Sequence, residues 1–391
     1  MSDLRVAIVG GGIGGLFCAG ALLDRGIDVR VYEQASALGE IGAGVFMTPN
    51  SLRQLARAGL LPAVEEAGAL IGPNSAFFRD DGTPVPGRVS SDSSGTGRIY
   101  GMHRADLVEI LAGALPGGTV VTGHRCTGVE QDAGGVRLAF ADGATAEADV
   151  PVGADGIHSV LQEHVVEAST PVPSGSVAYR GLVPRAVLPD WPREASLLWM
   201  GEARHFLVYP VRADTLLNFV GFVPTDDVMR ESWSAPGDPA ELAREFDGWD
   251  PPVGELLSHA GHTFRSALHD REPLRRWTSG RLTLLGDAAH PMLPHLGQGA
   301  NQSIEDGVAL AALLAATPQD PERALESYER IRKTRTDAIQ AGARGEGRRY
   351  DSDYDDLDER DAEMADSERF RHWLYDHDVL LEAEEEAAVL R

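Results

Sequence analysis

His205 and Tyr209 lie four residues apart in the run Arg204-His205-Phe206-Leu207-Val208-Tyr209-Pro210-Val211. On a strand both point to one face, which sets an imidazole and a phenol on a wall of Leu and Val. Such a pair is either a proton relay or a His and a Tyr satisfied within an ordinary sheet. Glycine-bearing segments offer chemistry of a second kind. Gly10-x-Gly12-x-x-Gly15 follows the apolar run Val6–Val9 and lets a backbone approach a pyrophosphate at a helix start, where N–H groups and the dipole favour anions. Glu33, 18 residues beyond Gly15, is placed to accept hydrogen bonds from ribose hydroxyls. A carboxylate there repels a 2′-phosphate, so the nucleotide is FAD or NAD rather than NADP.

Two further segments follow in order, Gly153-Ala154-Asp155-Gly156-Ile157-His158-Ser159 and Leu284-Leu285-Gly286-Asp287-Ala288-Ala289-His290-Pro291. In the latter, Gly286 permits close backbone approach and the Asp287 carboxylate can bind a polyol hydroxyl. Pro294-His295-Leu296-Gly297-Gln298-Gly299-Ala300-Asn301 then opens a helix, whose first N–H groups can stabilise negative charge on a reduced ring. Arg180, in the alternating run Val177–Val183, can pair with a substrate carboxylate or bridge two domains.

The elements that must position these groups are legible in outline. Val6–Val9 reads as a strand, Leu16–Arg25 as a helix stopped by Gly26, and Val29–Glu33 as a second strand, a βαβ unit. Pro62, Pro73, Pro84 and Pro86 break the next stretch, and Ser90–Gly97 is a small polar loop. His103–Leu107 opens an apolar helix that ends near Pro116. Thr119–Thr122, Gly128–Gln131 and Val136–Ala141 predict a small meander. From Ser174 to about Gly221 the period is two, over several runs without intervening helices, which predicts an antiparallel sheet. Helical spacing returns at Ile304–Ala316 and Glu322–Gln340. The expected fold class is α/β: a Rossmann-like nucleotide domain with an inserted antiparallel-sheet substrate domain and a C-terminal helical extension. In residues, 1–73, 98–175 and 267–345 form the discontinuous nucleotide domain, 74–97 and 176–266 the substrate domain, and 346–391 an acidic helical segment.

Composition narrows the partners. The net charge is -25, and residues 351–391 hold 16 Asp or Glu against four Arg. Such a polyanion repels nucleic acid and anionic membranes, so neither is expected as a partner. The tail itself reads as a solvated surface helix. Cys18 and Cys126 are too few for a metal knuckle or a disulfide framework, so no metal is expected and a reducing compartment fits. No apolar stretch reaches the ~18–20 residues of a membrane span; Val308–Ala316 reads as a buried helix. Met1 to Arg5 leads straight into the first strand without an export segment, which predicts a cytoplasmic protein. Monomer and homodimer are both open.

In content and order, the three glycine-bearing segments resemble the single-component FAD-dependent aromatic hydroxylases of the p-hydroxybenzoate hydroxylase type. The pattern is most similar to the salicylate, 3-hydroxybenzoate and 6-hydroxynicotinate hydroxylases, from about residue 4 to about 345. The resemblance implies FAD held at three separated points. Gly10, Gly12, Gly15 and Glu33 form the first, Gly286 and Asp287 the third, with Gly299, Ala300 and Asn301 at the flavin. Arg104, in Met102-His103-Arg104-Ala105-Asp106-Leu107, matches the arginine of the pyrophosphate and ribityl region. Asp155 would serve both FAD and a transient NADH or NADPH, for which the family has no second dinucleotide fold. His205 and Tyr209 match a His and a Tyr of the substrate pocket, and Arg180 lies on a strand lining the space between flavin and substrate. His295 falls where the hydroxynicotinate enzymes carry a histidine and the 3-hydroxybenzoate enzymes a glutamine. Trp373-Leu374-Tyr375-Asp376 is similar to a C-terminal signature of this group, read as structural. Phe46, after Gly42-Ala43-Gly44-Val45, stands where some hydroxynicotinate enzymes have histidine, which favours a carbocyclic ring.

The implied reaction consumes NAD(P)H and O₂ and proceeds through an FAD C4a-hydroperoxide. It hydroxylates a small aromatic carboxylate bearing a hydroxyl group, amino-hydroxybenzoates included, ortho or para to the phenol. The protein supplies positioning, a dry pocket and proton management. His205 and Tyr209 are expected to relay the proton, with His295 orienting the substrate or assisting. Attack at a carboxylate-bearing carbon would release CO₂, a decarboxylative hydroxylation of the salicylate or 6-hydroxynicotinate type; attack at a C–H carbon would not. The rival readings are an FAD-dependent reductase without oxygen insertion and a nucleotide-binding regulatory protein with the acidic tail as its interaction surface. A halogenase has no support, because the chain contains no Trp-x-Trp.

Overall fold

The computed structural model describes residues 4–39, 44–87, 92–132, 135–167, 172–225, 235–366 and 368–391. Met1 to Asp3, Gly42, Ala43 and the Ser90-Ser91 start of the polar loop lie outside the described residues.

Arg5–Val9 is a central strand of a six-stranded sheet, with Val150–Gly153 and Asp28–Tyr32 parallel to it on either side. Leu282–Leu284 extends the sheet in parallel beyond Val150–Gly153. Val6 to Val9 are all buried, as a parallel strand covered on both faces requires. The following helix, Ile13–Leu23, begins three residues before the expected Leu16, directly at the glycine turn. It packs closely on the Gly299–Ala316 helix: a Cβ at Gly307 would lie 3.0 Å from the Cys18 Cα.

One expected strand belongs elsewhere. Val120–Val121 pairs in parallel with Val31 and Tyr32 at the edge of the large sheet, and is not part of the meander. The meander is Cys126–Asp132, Gly135–Phe140 and Thr145–Ala148. Two valines carry no alternation to read. What places them is the open edge of the second strand, whose Val31 and Glu33 N–H groups donate to Thr119 and Val121 carbonyls at 2.9 Å.

The second layer is an eight-stranded sheet, in which Val172–Pro184, Leu216–Pro224, Arg204–Val211 and Leu197–Gly201 are successive antiparallel neighbours. Ala76–Arg79 adds in parallel to Leu197–Gly201. Val172–Pro184 and Thr263–Asp270 both run across the expected 176–266 limits of the inserted domain. Alternation sorts the two faces. Tyr179, Phe206, Val208 and Phe219 pack beneath the helices Pro239–Glu245 and Pro251–Ser258. Ala178, Arg180, His205, Leu207, Tyr209 and Val220 face the other way, towards the nucleotide layer.

The last helices differ most from expectation. The Pro321–Tyr350 helix continues ten residues past Gln340, through Gly342, Gly345 and Gly347. Two of these glycines are packing positions: a Cβ at Gly342 would meet Phe370 at 2.6 Å and one at Gly347 would meet His295 at 2.8 Å. The acidic segment is three helices, Leu357–Asp366, Glu368–Asp376 and Val379–Leu390, rather than one solvated surface helix. Its acids take the outer faces while Val379, Ala383, Ala387 and Leu390 join the main core. Apolar residues at helical spacing inside an acidic run override net charge in deciding burial. No helix among the described residues is long and apolar enough to cross a membrane.

Candidate active site

The two layers meet along a cleft, and the three glycine segments converge on its nucleotide side. At Gly10 (φ +114°) a Cβ would fall 2.2 Å from the Ala154 carbonyl oxygen, so the first and second segments pack back to back through a position only glycine can fill. At Gly15 a Cβ would meet the Gly10 oxygen at 2.1 Å, which holds the helix start against the turn. Gly12 is the converse: nothing lies within 4 Å of its Cβ position, and its backbone lines open space. Glu33 accepts from the Gly11 and Ala35 N–H groups, both at 2.7 Å, which fixes its carboxylate beside the turn. Asp155 takes the Val160 N–H at 2.9 Å on one oxygen, while its Oδ1 is buried without a hydrogen-bond partner among the described residues.

The third segment is pinned from below by a buried ion network. Asp306 accepts from the Gly286 N–H at 3.0 Å, from His290 Nε2 at 2.6 Å and from Arg332 Nε at 2.8 Å. Arg332 also reaches Glu305 at 2.6 Å, and Arg335 reaches the same carboxylate at 2.9 Å. Above this network, Gly286, Asp287, Gly299 and Ala300 line the cleft. The first helical N–H to find a carbonyl is that of Gln302, bonded to Gln298 at 2.8 Å, so the helix start presents its N–H groups to the cleft. Asn301 lies in the first turn of this helix. It is fully buried and ties Thr48 N, Ser51 Oγ, Phe46 O and Gly297 O together, bracing the loop behind the cleft.

Arg104 and Arg180 both line the cleft. Burial lowers the proton affinity of Arg104, against the nearby Asp287 carboxylate. Burial, with Arg104 adding to it, takes Arg180 down to about 10, opposed by Tyr209. These features fit FAD: a glycine cradle open at Gly12, a helix start aimed into the cleft, two guanidinium groups for phosphate and flavin, and an orphaned carboxylate oxygen at Asp155.

A smaller chamber adjoins the cleft, with Phe46, Leu207, Phe222, Pro294 and Gly297 lining both. His205 and His295 line the chamber, their ring centroids 5.2 Å apart, whereas Tyr209 lines the cleft. His205 and Tyr209 thus share a face, as expected, and line adjoining cavities. Cross-strand register shows why. His205 stands beside Phe222, Leu207 beside Val220, which neighbours Arg180, and Tyr209 beside Asn218, so a Leu207-Val220-Arg180 row separates them. Period two fixes a face, while four residues span about 13 Å of strand. Burial raises the Tyr209 phenol, keeping it a proton donor, and its ring lies 4.2 Å from that of Phe46. Burial, with the neighbouring His205 adding to it, lowers His295 to about 3, so it stays neutral.

Asp351, Tyr350, Arg371 and Tyr375 were absent from the expected site. Asp351 Oδ1 lies 2.7 Å from His205 Nδ1, and the other three line the chamber. Arg371 is buried, 3.4 Å from Glu346, with its guanidinium over the Phe77 ring. The available signal was the helical spacing of Arg371, Leu374 and Tyr375 within an acidic run, which buries one face.

A family model described as FAD binding domain matches residues 3–343. A 3-amino-4-hydroxybenzoate 2-monooxygenase of Streptomyces platensis is 40% identical over 381 residues, covering 95% of each chain. A 6-hydroxynicotinate 3-monooxygenase of Bordetella bronchiseptica is 35% identical over 86% of this chain and 89% of its own. Among solved structures, a salicylate hydroxylase substrate complex superposes with a TM-score of 0.84 at 29% identity, covering 99% of this chain and 98% of that one.

Proposed function

Because this chain belongs to the FAD binding domain family and is an FAD-dependent aromatic monooxygenase, we propose that its substrate is an amino-hydroxybenzoate held in the chamber beside the flavin cleft. The observation that carries the choice is the two-sided 95% coverage at 40% identity with a 3-amino-4-hydroxybenzoate 2-monooxygenase. The chamber supports it. Phe46, Phe77, Leu198 and Phe222 give apolar walls for a ring, while His205, His295 and Arg371 give polar contacts at its edge.

When bound, FAD reduced by NAD(P)H would supply the electrons that activate O₂, from which one oxygen atom passes to the ring. The chain's own residues do the rest. Gly12, Arg104, Asp287 and the helix start at Gly299 and Ala300 hold the cofactor, with Glu33 and Asp155 offering carboxylate oxygens to its hydroxyl groups. Arg371 takes the ring carboxylate, a charge-assisted contact in place of water. His205 accepts a hydrogen bond from the ring's hydroxyl or amino group, which pushes electron density into the ring, and neutral His295 orients it. Tyr209 and Arg180 stand at the cleft side of the partition, where Tyr209 donates a hydrogen bond and Arg180 offsets developing negative charge.

The test supplies purified holoenzyme with NADH or NADPH, ¹⁸O₂ and a panel of amino-hydroxybenzoates, hydroxybenzoates and hydroxynicotinates. One labelled oxygen gained by an amino-hydroxybenzoate, with the carboxylate retained, is expected. Loss of CO₂ would assign decarboxylative hydroxylation instead. Flavin turnover that yields only hydrogen peroxide with every ring would sink the substrate assignment.

A further inference from the structure

Resting on the reading that His205 meets the ring, we propose that Asp351 is a positioning residue of the hydroxylation. It holds His205 in the tautomer whose Nε2 lone pair faces the substrate, and it balances charge when that nitrogen takes a proton.

The contact is short and its direction is fixed. An ionised carboxylate can only accept, so at 2.7 Å His205 Nδ1 is the donor, and in the neutral imidazole Nε2 is then bare. His205 is 1% exposed, and its Nε2 is buried without a hydrogen-bond partner among the described residues, in a residue that lines the chamber. A buried ring nitrogen left in this way is a site for a ligand donor.

The location of Asp351 also needs a reason. It is the C-cap of the Pro321–Tyr350 helix, at the negative end of the dipole, where a carboxylate is disfavoured. The pairing with His205 compensates. The backbone adds a second tie: the Asp351 carbonyl accepts from the Ala203 N–H at 2.8 Å, in the turn before the His205 strand. Helix end and strand start are thus locked in register.

The other groups facing His205 do not replace Asp351. Phe222 stacks on the imidazole at 4.0 Å, the Tyr350 ring centre lies 5.4 Å away, and His295 stays neutral. Arg371 and Tyr375 face it across the chamber, with Glu346 beside Arg371. In the step itself, the O–H bond of the ring hydroxyl breaks and an N–H bond forms at Nε2. An imidazolium then sits between the substrate anion and the Asp351 carboxylate; when the attacked carbon gives up its own proton to solvent and the ring regains aromaticity, the imidazolium proton returns to the ring oxygen.

The experiment uses ¹⁵N-histidine-labelled holoenzyme of wild type, Asp351→Asn and Asp351→Glu, with an amino-hydroxybenzoate from the panel. Nitrogen NMR reads the His205 tautomer without turnover, and product formed per NAD(P)H oxidised reads its consequence. The wild type is expected to show Nδ1–H with a bare Nε2. Asp351→Asn is expected to populate Nε2–H and to lower product per NAD(P)H by at least about tenfold. Asp351→Glu is expected to restore part of both, with FAD content equal in all three. An unchanged tautomer and yield in Asp351→Asn, in an active wild type, would overturn the proposal alone. So would an equal loss of FAD or melting temperature in both variants with the tautomer unmoved, which marks a structural tie. A wild type that shows the Nδ1–H tautomer but hydroxylates no ring would instead overturn the functional reading.

Discussion

Two pairs of arginines lie inside this molecule, and burial prevails over the neighbours of only one of them. Arg332 and Arg335, under the flavin cleft, face Glu305 and Asp306 at 2.6–2.9 Å. Burial works against the Arg332 charge, but the two carboxylates more than offset it and raise its proton affinity. Arg104 and Arg180, in the cleft, are both lowered by burial, and Arg180 is lowered further by Arg104. The first pair is held by two buried carboxylates. The second lies along the cleft, where Asp287 and Tyr209 only partly oppose the effect of burial. Burial alone does not set the proton affinity of a buried arginine; the number of carboxylates in contact with it does.

The sharpest way to break that contrast is Arg332→Met. It leaves Glu305 and Asp306 buried without the arginine they share and is expected to cost about 3–5 kcal/mol, read by urea unfolding of the apoprotein. FAD retention should fall with it, because Asp306 holds the Gly286 N–H. Arg104→Ala should do the reverse. FAD binding, followed by flavin fluorescence, is expected to weaken on the order of 10²-fold, while the apoprotein melts no lower than wild type.

Acid separates the same regions. His295 is lowered to about 3 by burial first, then by His205. Below ~6.5 the unfolded chain takes a proton that the folded chain refuses, so stability declines as pH falls from there towards about 3. Glu305 behaves differently. Burial favours its protonated form, yet Arg335 and Arg332 pull it well below the usual carboxylate range. Its stabilisation is full above ~4.3 and is lost only as pH falls from there through the folded value. His295→Gln should therefore lose less stability than wild type between about pH 7 and about pH 5. An equal loss in both proteins would place the acid sensitivity elsewhere. The smallest effect is expected from Gly347→Ala, whose Cβ would press on the His295 ring at 2.8 Å. A drop of about threefold in product per NAD(P)H, with melting shifted by no more than ~1 kcal/mol, would show that His295 placement matters more than its packing.

How much of this was legible follows from distance along the chain. The glycine turn, Glu33 and Gly286-Asp287 announce themselves because each is local: strand, turn and helix start lie within a few residues. The alternating run at His205 gives its face correctly, since Leu207 and Tyr209 share it. It does not give the cavity, because the intervening row comes from other strands. Asp351 reaches His205, and Arg371 its chamber, from more than a hundred residues away; helical spacing marks the buried face of Arg371 but nothing local marks what that face meets. Gly342 and Gly347 mislead for the same reason: their propensity says stop, while Phe370 and His295 require a missing side chain.

The parallel addition of Ala76–Arg79 to Leu197–Gly201 bears on the order in which the chain can assemble during synthesis. The earlier strand leaves the ribosome on the order of a hundred residues before its partner, at ≈ 5–20 residues per second, and must wait with its backbone edge open. The central Arg5–Val9 strand waits similarly for Val150–Gly153. The chamber is later still, for it needs Tyr350, Arg371 and Tyr375, and the main core needs the Val379–Leu390 helix. A nascent chain therefore displays its nucleotide turn long before it owns a substrate site. Loop closures of that length make folding slow, and the waiting edges are where newly made chains of this enzyme are most exposed to aggregation.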